Sequence, residues 1–533
     1  MQRRWLQGSV LWPSGLTLLL AAIALASRSL FPIDETRYTA VAWEMWLRGD
    51  FLVPHLNGNT YSHKPPLLFW LINLGWGIFG VNEWWPRLVP VMFQIATFGL
   101  AAHVSHLLWP THNTRYAPFI LAGSLFWAGF TALIFFDFLV TFFALLGIYG
   151  VIFAMQRGGL RGWLVFGIAM GLGVLAKGPV ILLHVLPAAL LAPWWIGERR
   201  DWWRWYGGVF IGVVVGVAIS LSWAIPAARA GGPDYAHMIF WGQSAERMVE
   251  SFAHRHPFWW YLPLLPLMLF PWFVWPALWR KLAPLLRHPP DAGVRLCIAW
   301  IVPSFLIVSL ISGKQAHYLL PLFPAFALLA DRALSQYITV PVNITWPIVG
   351  VMLVGILLTA LPFLQDLAPR ADWLIKVSPL WGTFVVAIAL YWLYQRQAKL
   401  SVSIISLSCA AVLIVGVINL GIITRVYTNY NLTGISQYLG TLQKRHIAVA
   451  HIGKYHGQFH MLGRLREPIH VIDEGQLPAW IEQNPEGRVV LYYTNPTYAN
   501  EIHPEYVQRF RGGVYVVWHG TTLLVRPDLF QEW

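Results

Sequence analysis

The sequence predicts a polytopic α-helical membrane protein, and three observations predict it. Of 533 residues, 57% are hydrophobic and only 11% are charged, with a mean hydropathy of +0.54, whereas a soluble domain carries about 25% charged residues. Long apolar runs recur as far as residue 424, separated by short basic connections. The 31 Trp and 36 Pro suit interfacial aromatic belts and broken spans, which a membrane tolerates when neighbours satisfy the freed backbone groups.

In chain order, apolar runs lie at 9–30, 87–109, 117–136, 138–155, 163–176, 179–196, 207–228, 258–279, 295–311, 316–331, 343–363, 378–394 and 401–424. Measured against the roughly 20 residues a span needs, they give about thirteen transmembrane helices. The start, Met1-Gln2-Arg3-Arg4, and the small residues Ala24-Leu25-Ala26 have the look of a cleaved leader. The run between them exceeds the ~7–15 residues of a leader's apolar core, so it reads as a retained anchor. The run 67–80 is about fourteen residues long and suits an interfacial or re-entrant segment within a first external loop, 31–86.

The basic connections at 3–4, 157–161, 199–204, 280–295 and 396–399 then share one side with the N-terminus. The positive-inside rule makes that side cytoplasmic, and it turns the net charge of +13 into a topology signal rather than a nucleic-acid surface. Cys297 and Cys409 lie in apolar runs, with no disulfide or zinc-finger spacing. Residues 1–424 thus read as the membrane domain, and 425–533, more polar, as a soluble α/β domain outside the cytoplasm. Strands are expected at 447–452, 469–472, 489–493, 514–518 and 522–525, and helices at 459–465, 477–483 and 504–510. No glycine-rich phosphate loop or catalytic triad stands there, so its role reads as capping or acceptor-positioning.

Every polar group of chemical interest falls on the non-cytoplasmic side. Asp34 and Glu35 follow Pro32 and precede Arg37, either as catalytic carboxylates or as an ion pair anchoring a short amphipathic helix. Two adjacent acids on a helix point in different directions, so one is able to face chemistry while the other pairs with arginine or a metal. Asp137 lies between two apolar runs, where an unpaired carboxylate is costly, which marks it as functional. Lys64, Lys177 and Lys314 are each isolated at outer span ends, where a single lysine usually snorkels. Three of them on one face, joined by Arg255 and by Arg247, look more like a pocket for an anionic phosphate, which arginine contacts through two bonds and lysine as a point charge. His63 and His254 raise a divalent metal, against the commoner outcome of solvent-facing imidazoles. Tyr318, after His317, offers a hydrogen bond to phosphate or a belt residue.

Asp34-Glu35-Thr36-Arg37-Tyr38, Gly49-Asp50, Val53-Pro54, Lys64-Pro65-Pro66-Leu67 with Trp70, and Phe79-Gly80 form an ordered set of motifs. It continues through Asp137, Lys177-Gly178-Pro179, Phe240-Trp241, His254-Arg255, Pro257-Phe258-Trp259, and Gly313-Lys314 with Tyr318-Leu319-Leu320-Pro321. This set resembles the lipid A 4-amino-4-deoxy-L-arabinose transferase family, which is related to protein mannosyltransferases. The resemblance implies a type-C glycosyltransferase fold in the bacterial inner membrane, with a periplasmic site and a polyprenyl-phosphate-linked sugar as donor. It implies a lipid A-type glycolipid or other envelope molecule as acceptor. It matches Asp34 and Asp137 to the family's functional acids and Lys64, Arg255 and Tyr318 to positions at the donor phosphate, with Lys314 added by our reading of the pocket. The chain departs from the pattern at His63, where relatives commonly carry Glu, and at Gly242-Gln243-Ser244, where they carry an acidic-histidine pair.

The rival classes are a protein O-glycosyltransferase of the same fold and a lipid or solute transporter. Buried charge and broken helices suit a transporter equally. The chain lacks internal symmetry, however, and its charges cluster on one face rather than at the bilayer midplane.

Overall fold

A computed structural model describes residues 2–112, 114–198, 200–242, 255–287, 290–337, 341–367, 373–494, 503–526 and 529. The chain opens with α1 (Gln2–Ser27), the amphipathic α2 (Asp34–Arg48), a small hairpin of β1 (His55–Leu56) and β2 (Asn59–Thr60), and the short apolar α3 (Leu67–Phe79). Acids Asp34 and Glu35 stand in the first turn of α2 and Arg48 in its last, each favourable to the helix dipole, and Gly49 ends it in the left-handed region.

Then follow α4 (Trp84–Leu108), α5 (Ala117–Ala122), α6 (Leu125–Gly129), α7 (Asp137–Arg157), α8 (Leu160–Lys177), α9 (Val180–Leu190), α10 (Ala192–Ile196) and α11 (Trp202–His237). α7 and α8 form a tight antiparallel hairpin. Its turn needs Gly158 and Gly159 at positive φ, and its faces meet at Gly150 and Gly162, where an added Cβ at 162 would stand 2.5 Å from the Ala154 nitrogen.

Among the described residues eight helices are long and apolar enough to cross a membrane, and they coincide with eight of the expected spans. The other five expected spans are shorter or broken. The run 117–136 divides into α5, α6 and a turn; 179–196 into α9 and α10; 316–331 into a 3-10 turn, Ala316–Leu322, followed by the helix Phe323–Leu334. Prolines at 187, 193, 263, 266, 271, 276, 321 and 324 sit in these segments, removing backbone donors that a continuous helix would use. Outward faces are apolar: Trp203, Phe210, Val214 and Val217 line one stripe of α11 at 90%, 67%, 49% and 48% exposure, as a lipid-facing helix requires.

Beyond the hairpin of β3 (Val342–Asn343) with β4 (Gln397–Ala398) and the last long helix, the chain builds a mixed five-stranded sheet. Its strands are β5 (Val449–Ile452), β6 (His470–Ile472), β7 (Arg488–Tyr493), β8 (Tyr506–Phe510) and β9 (Gly513–His519) in the order β6-β5-β7-β9-β8. β5 runs parallel to β6 and β7, and β9 antiparallel to β7 and β8. Alternation divides its faces: Val490, Tyr515 and Val517 join the core that continues into the membrane helices. Val489, Leu491, Val516 and Trp518 pack with the helix Leu477–Gln483. Two local expectations exchange: 504–510 is largely strand β8 rather than helix, and 522–525 lies in the helix Gly520–Val525 rather than a strand. Val507 and Arg509 are the exposed residues of an edge strand, whose period-two pattern over five residues a helical reading also accommodates.

The sheet docks on the segment between α1 and α4. The Trp43 indole donates to the Leu465 carbonyl at 2.7 Å, and Asn57 both donates to the Ile469 carbonyl at 2.9 Å and accepts from its N–H at 2.8 Å. Tyr427 donates to the Leu30 carbonyl at 3.2 Å, and Phe31 stacks on Tyr430 at 5.0 Å.

Candidate active site

The two adjacent acids do point apart. Glu35 is buried, 2% exposed, and its Oε2 accepts from Arg28 at 2.5 Å and from the Phe31 N–H at 2.7 Å. Its Oε1 accepts from the Ile134 N–H at 3.0 Å. Arg87, also buried, donates to the carbonyls of Ala24, Arg28 and Ala132. This knot ties the end of α1, the start of α2 and the turn before α7 into one piece. Asp34, one residue away, keeps a half-exposed side chain and pairs with Arg37 across one helical turn.

Asp137 is 3% exposed. Lys177 donates to its two carboxylate oxygens at 2.6 and 2.7 Å, and His317 Nε2 stands 3.8 Å from Oδ2. The antiparallel hairpin explains the pair: Asp137 opens α7 and Lys177 closes α8, so both lie at the same end. Gly178, at φ +85°, turns the chain away directly after the lysine. The Lys177 ammonium also lies 4.5 Å over the Tyr318 ring, and His317 sits edge-on to Tyr318. Lys64 adds its positive field at Asp137.

Phe136 is where these parts meet. Its ring takes Tyr38 of α2 edge-on at 4.9 Å, Phe69 of α3 at 5.8 Å and the Lys64 ammonium at 5.5 Å. The loops carrying Asp34, Lys64 and Asp137 are therefore joined around one aromatic side chain.

Lys314 differs from the expected phosphate ligand. It is 3% exposed, and its Nζ donates to the carbonyls of His256 at 2.8 Å and Ile311 at 2.6 Å. Burial pushes its pKa below the ordinary lysine value. Its ammonium thus holds one loop against another. The same junction pairs Arg255 with Gly313 through the backbone, leaving the Arg255 residue exposed. Tyr261 donates to the Gln315 carbonyl beside it at 3.1 Å.

His63 is exposed, with its ring 5.4 Å from Tyr61. His254 lies outside the described residues, as do Arg247 and the stretch 243–244. Among the described residues no three His, Cys, Asp or Glu side chains gather as a metal site. Sequence reasoning missed Arg28, Arg87 and the hub role of Phe136. A lone guanidinium at an apolar span end was the available signal, since buried arginine requires acceptors.

The comparisons with known proteins agree with this architecture. A family profile described as dolichyl-phosphate-mannose-protein mannosyltransferase matches residues 63–225. The undecaprenyl phosphate-alpha-4-amino-4-deoxy-L-arabinose arabinosyl transferase of Pseudomonas paraeruginosa is 31% identical over 377 residues, 69% of this chain and 67% of the relative. The Pseudomonas aeruginosa UCBPP-PA14 protein of the same name is 30% identical, with the same coverage. Among solved structures, ArnT from Cupriavidus metallidurans bound to undecaprenyl phosphate superposes with a TM-score of 0.76 at 18% identity, covering 96% of this chain and 98% of that one. The Archaeoglobus fulgidus oligosaccharyltransferase shares the fold more distantly, with a TM-score of 0.53 at 12% identity, over 90% of this chain and 69% of the other. With buried carboxylates and lysines gathered at one end of a helical membrane bundle, and with sequence identity across two thirds of both chains, the protein belongs to the undecaprenyl phosphate-4-amino-4-deoxy-L-arabinose arabinosyl transferase family of type-C membrane glycosyltransferases.

Proposed function

We propose that this protein transfers a sugar from polyprenyl phosphate to a lipid A-type or other envelope acceptor, at the periplasmic face of the bacterial inner membrane. The names of its relatives supply 4-amino-4-deoxy-L-arabinose as the sugar and undecaprenyl phosphate as the carrier. The observation that carries the reading is the contrast among three carboxylates. Glu35 is buried with Arg28 and Asp137 with Lys177, while Asp34, paired with Arg37, alone of the three keeps a half-exposed side chain.

An acceptor oxygen attacks the anomeric carbon as the bond to the polyprenyl phosphate oxygen breaks, and the phosphate leaves with that bond's electron pair. A single displacement inverts the centre. Lys64 and Arg255 offset the charge growing on the leaving phosphate, the electrostatic contribution that usually dominates. Asp34 takes the proton of a hydroxyl acceptor, a role typically worth about 10² to 10⁴ in rate, or orients an acceptor that is already an anionic phosphate. Asp137 acts as a positioning residue: it fixes Lys177, which in turn sits over the Tyr318 ring. Lys314 supports the Arg255 loop. A divalent metal would have to draw on His63 and His254, and no step here is routed through one. Residues 425–533 are assigned to a periplasmic α/β domain.

The test is mass spectrometry of envelope glycolipids and glycoproteins from cells with the wild-type protein, with none, or with Asp34→Asn. A sugar-mass difference on glycolipid, absent from both deficient strains, supports the reading. The same difference confined to glycoproteins supports a protein acceptor, which the mannosyltransferase profile favours. Transbilayer movement of the lipid without any transfer would point instead to a transporter.

A further inference from the structure

The C-terminal sheet carries charged groups that the mechanism above leaves unused. Its loop 453–457 packs directly on α2: Gly457, at φ +73°, lies so close that an added Cβ would stand 2.4 Å from Leu56 Cδ1 and 3.3 Å from Ala40 Cβ. Arg464 lies over the Trp43 ring at 5.6 Å and donates to the Val81 carbonyl at 3.3 Å. These contacts, with those of Trp43 and Asn57, fix the loop against the middle of α2 and the β1–β2 hairpin.

The half-buried His456 consequently lies within electrostatic reach of Asp34, Arg37, Lys454 and Arg511. Lys454 and Arg511 are exposed. Arg511 is presented by the β8–β9 turn, its φ at +54°, its N–H bonded to the Asn429 carbonyl at 2.7 Å and its guanidinium over Tyr430 at 6.0 Å. Three permanent cations and one acid thus act on a single half-buried imidazole, and burial together with those cations favours its neutral form. Tyr430, under the Arg511 guanidinium, stacks in turn on Phe31, three residues before Asp34.

We propose that Lys454, His456 and Arg511, together with Arg37, form a phosphate-binding site on the C-terminal sheet that holds the anionic headgroup of the acceptor against Asp34. The chemistry fits: arginine offers paired donors to a phosphate, lysine a point charge, and a neutral imidazole a further donor. A transfer reaction has two phosphate-bearing lipids to place, and the glycosyl-transfer reading gives Lys64 and Arg255 to the donor. This site rests on the glycosyl-transfer reading and adds to it which part of the chain selects the acceptor.

The experiment uses the intact protein in lipid nanodiscs, with a polyprenyl-phosphate-linked sugar and lipid A as substrates varied separately. Lys454→Glu with Arg511→Glu should raise the KM for lipid A about tenfold or more, the equivalent of losing roughly 1.4 kcal/mol of binding, while the donor KM stays within about twofold. Lys454→Arg, which keeps the charge, should leave the acceptor KM close to wild type, and Lys454→Gln should give a value between wild type and Lys454→Glu. An unchanged acceptor KM in the double variant overturns the site, and a rise in donor KM alone reassigns the cluster to the donor phosphate and overturns it equally. Wild-type protein that transfers sugar to no envelope glycolipid or glycoprotein would defeat the glycosyl-transfer reading itself, a separate outcome.

Discussion

Asp137 and Lys177 meet at both carboxylate oxygens, 2.6 and 2.7 Å from one ammonium, because the first residue of one helix and the last of its antiparallel neighbour share an end. Removing one partner of a buried pair leaves an uncompensated charge and typically costs about 3–5 kcal/mol, whereas removing both is often close to neutral. Lys177→Met and Asp137→Asn should each lower the unfolding temperature in detergent. The double variant should recover most of the loss, with activity recovering far less because Tyr318 has lost its cation.

The adjacent acids should separate stability from the catalysis proposed for Asp34. Asp34→Asn should leave the unfolding temperature close to wild type and lower kcat by about 10² to 10⁴ if the acceptor is a hydroxyl. Glu35→Gln should do the reverse in its first effect, destabilising the protein by a few kcal/mol, roughly the cost of leaving Arg28 buried without its anion. A Glu35→Gln protein as stable as wild type would contradict the knot described for it.

Acid sensitivity should arise in the C-terminal sheet. Burial holds the His460 pKa down to about 4, and its Nδ1 lies in hydrogen-bond contact with the Tyr455 hydroxyl at 2.7 Å. His451 is likewise held down to about 4 by burial. The unfolded chain therefore takes up protons first. The stabilisation is complete above about pH 6.5 and declines as pH falls towards 4, by up to about 3 kcal/mol for each ring. Hydrogen exchange over 449–519 at pH 7.5 and pH 5 should show the loss, and His460→Gln should reduce the difference by about half.

Helix contact in the α7–α8 hairpin should be sensitive to a single methyl group. Gly162→Ala places a carbon against the Ala154 backbone, which cannot retreat as a side chain does, and overpacking of this kind costs roughly 1–3 kcal/mol. Spreading the hairpin should also loosen the Asp137–Lys177 pair and lower turnover. Gly99→Ala, with nothing within 4 Å of the added carbon, is the matched control.

Much of this was legible in the residues themselves. Apolar length alone located the eight continuous spans, and the expense of charge near hydrocarbon singled out Asp34, Asp137, Lys64 and Lys177. Other features depend on long-range contact. The sequence offers no local means of telling that Glu35 serves Arg28 while Asp34 stays half exposed, since that depends on Ile134, 99 positions away. Lys314 has the same motif context as the other lysines, yet two carbonyls claim it. Proline content foretold broken spans without saying where each breaks.

The hydrogen bond between Trp43 and Leu465 joins positions 422 apart. A ribosome delivers the first of these groups long before the second, so α2 waits without this partner until nearly the whole chain has been synthesised. Insertion order thereby leaves its mark on assembly: a partly synthesised protein holds its membrane helices but lacks the bond that ties α2 to the C-terminal segment.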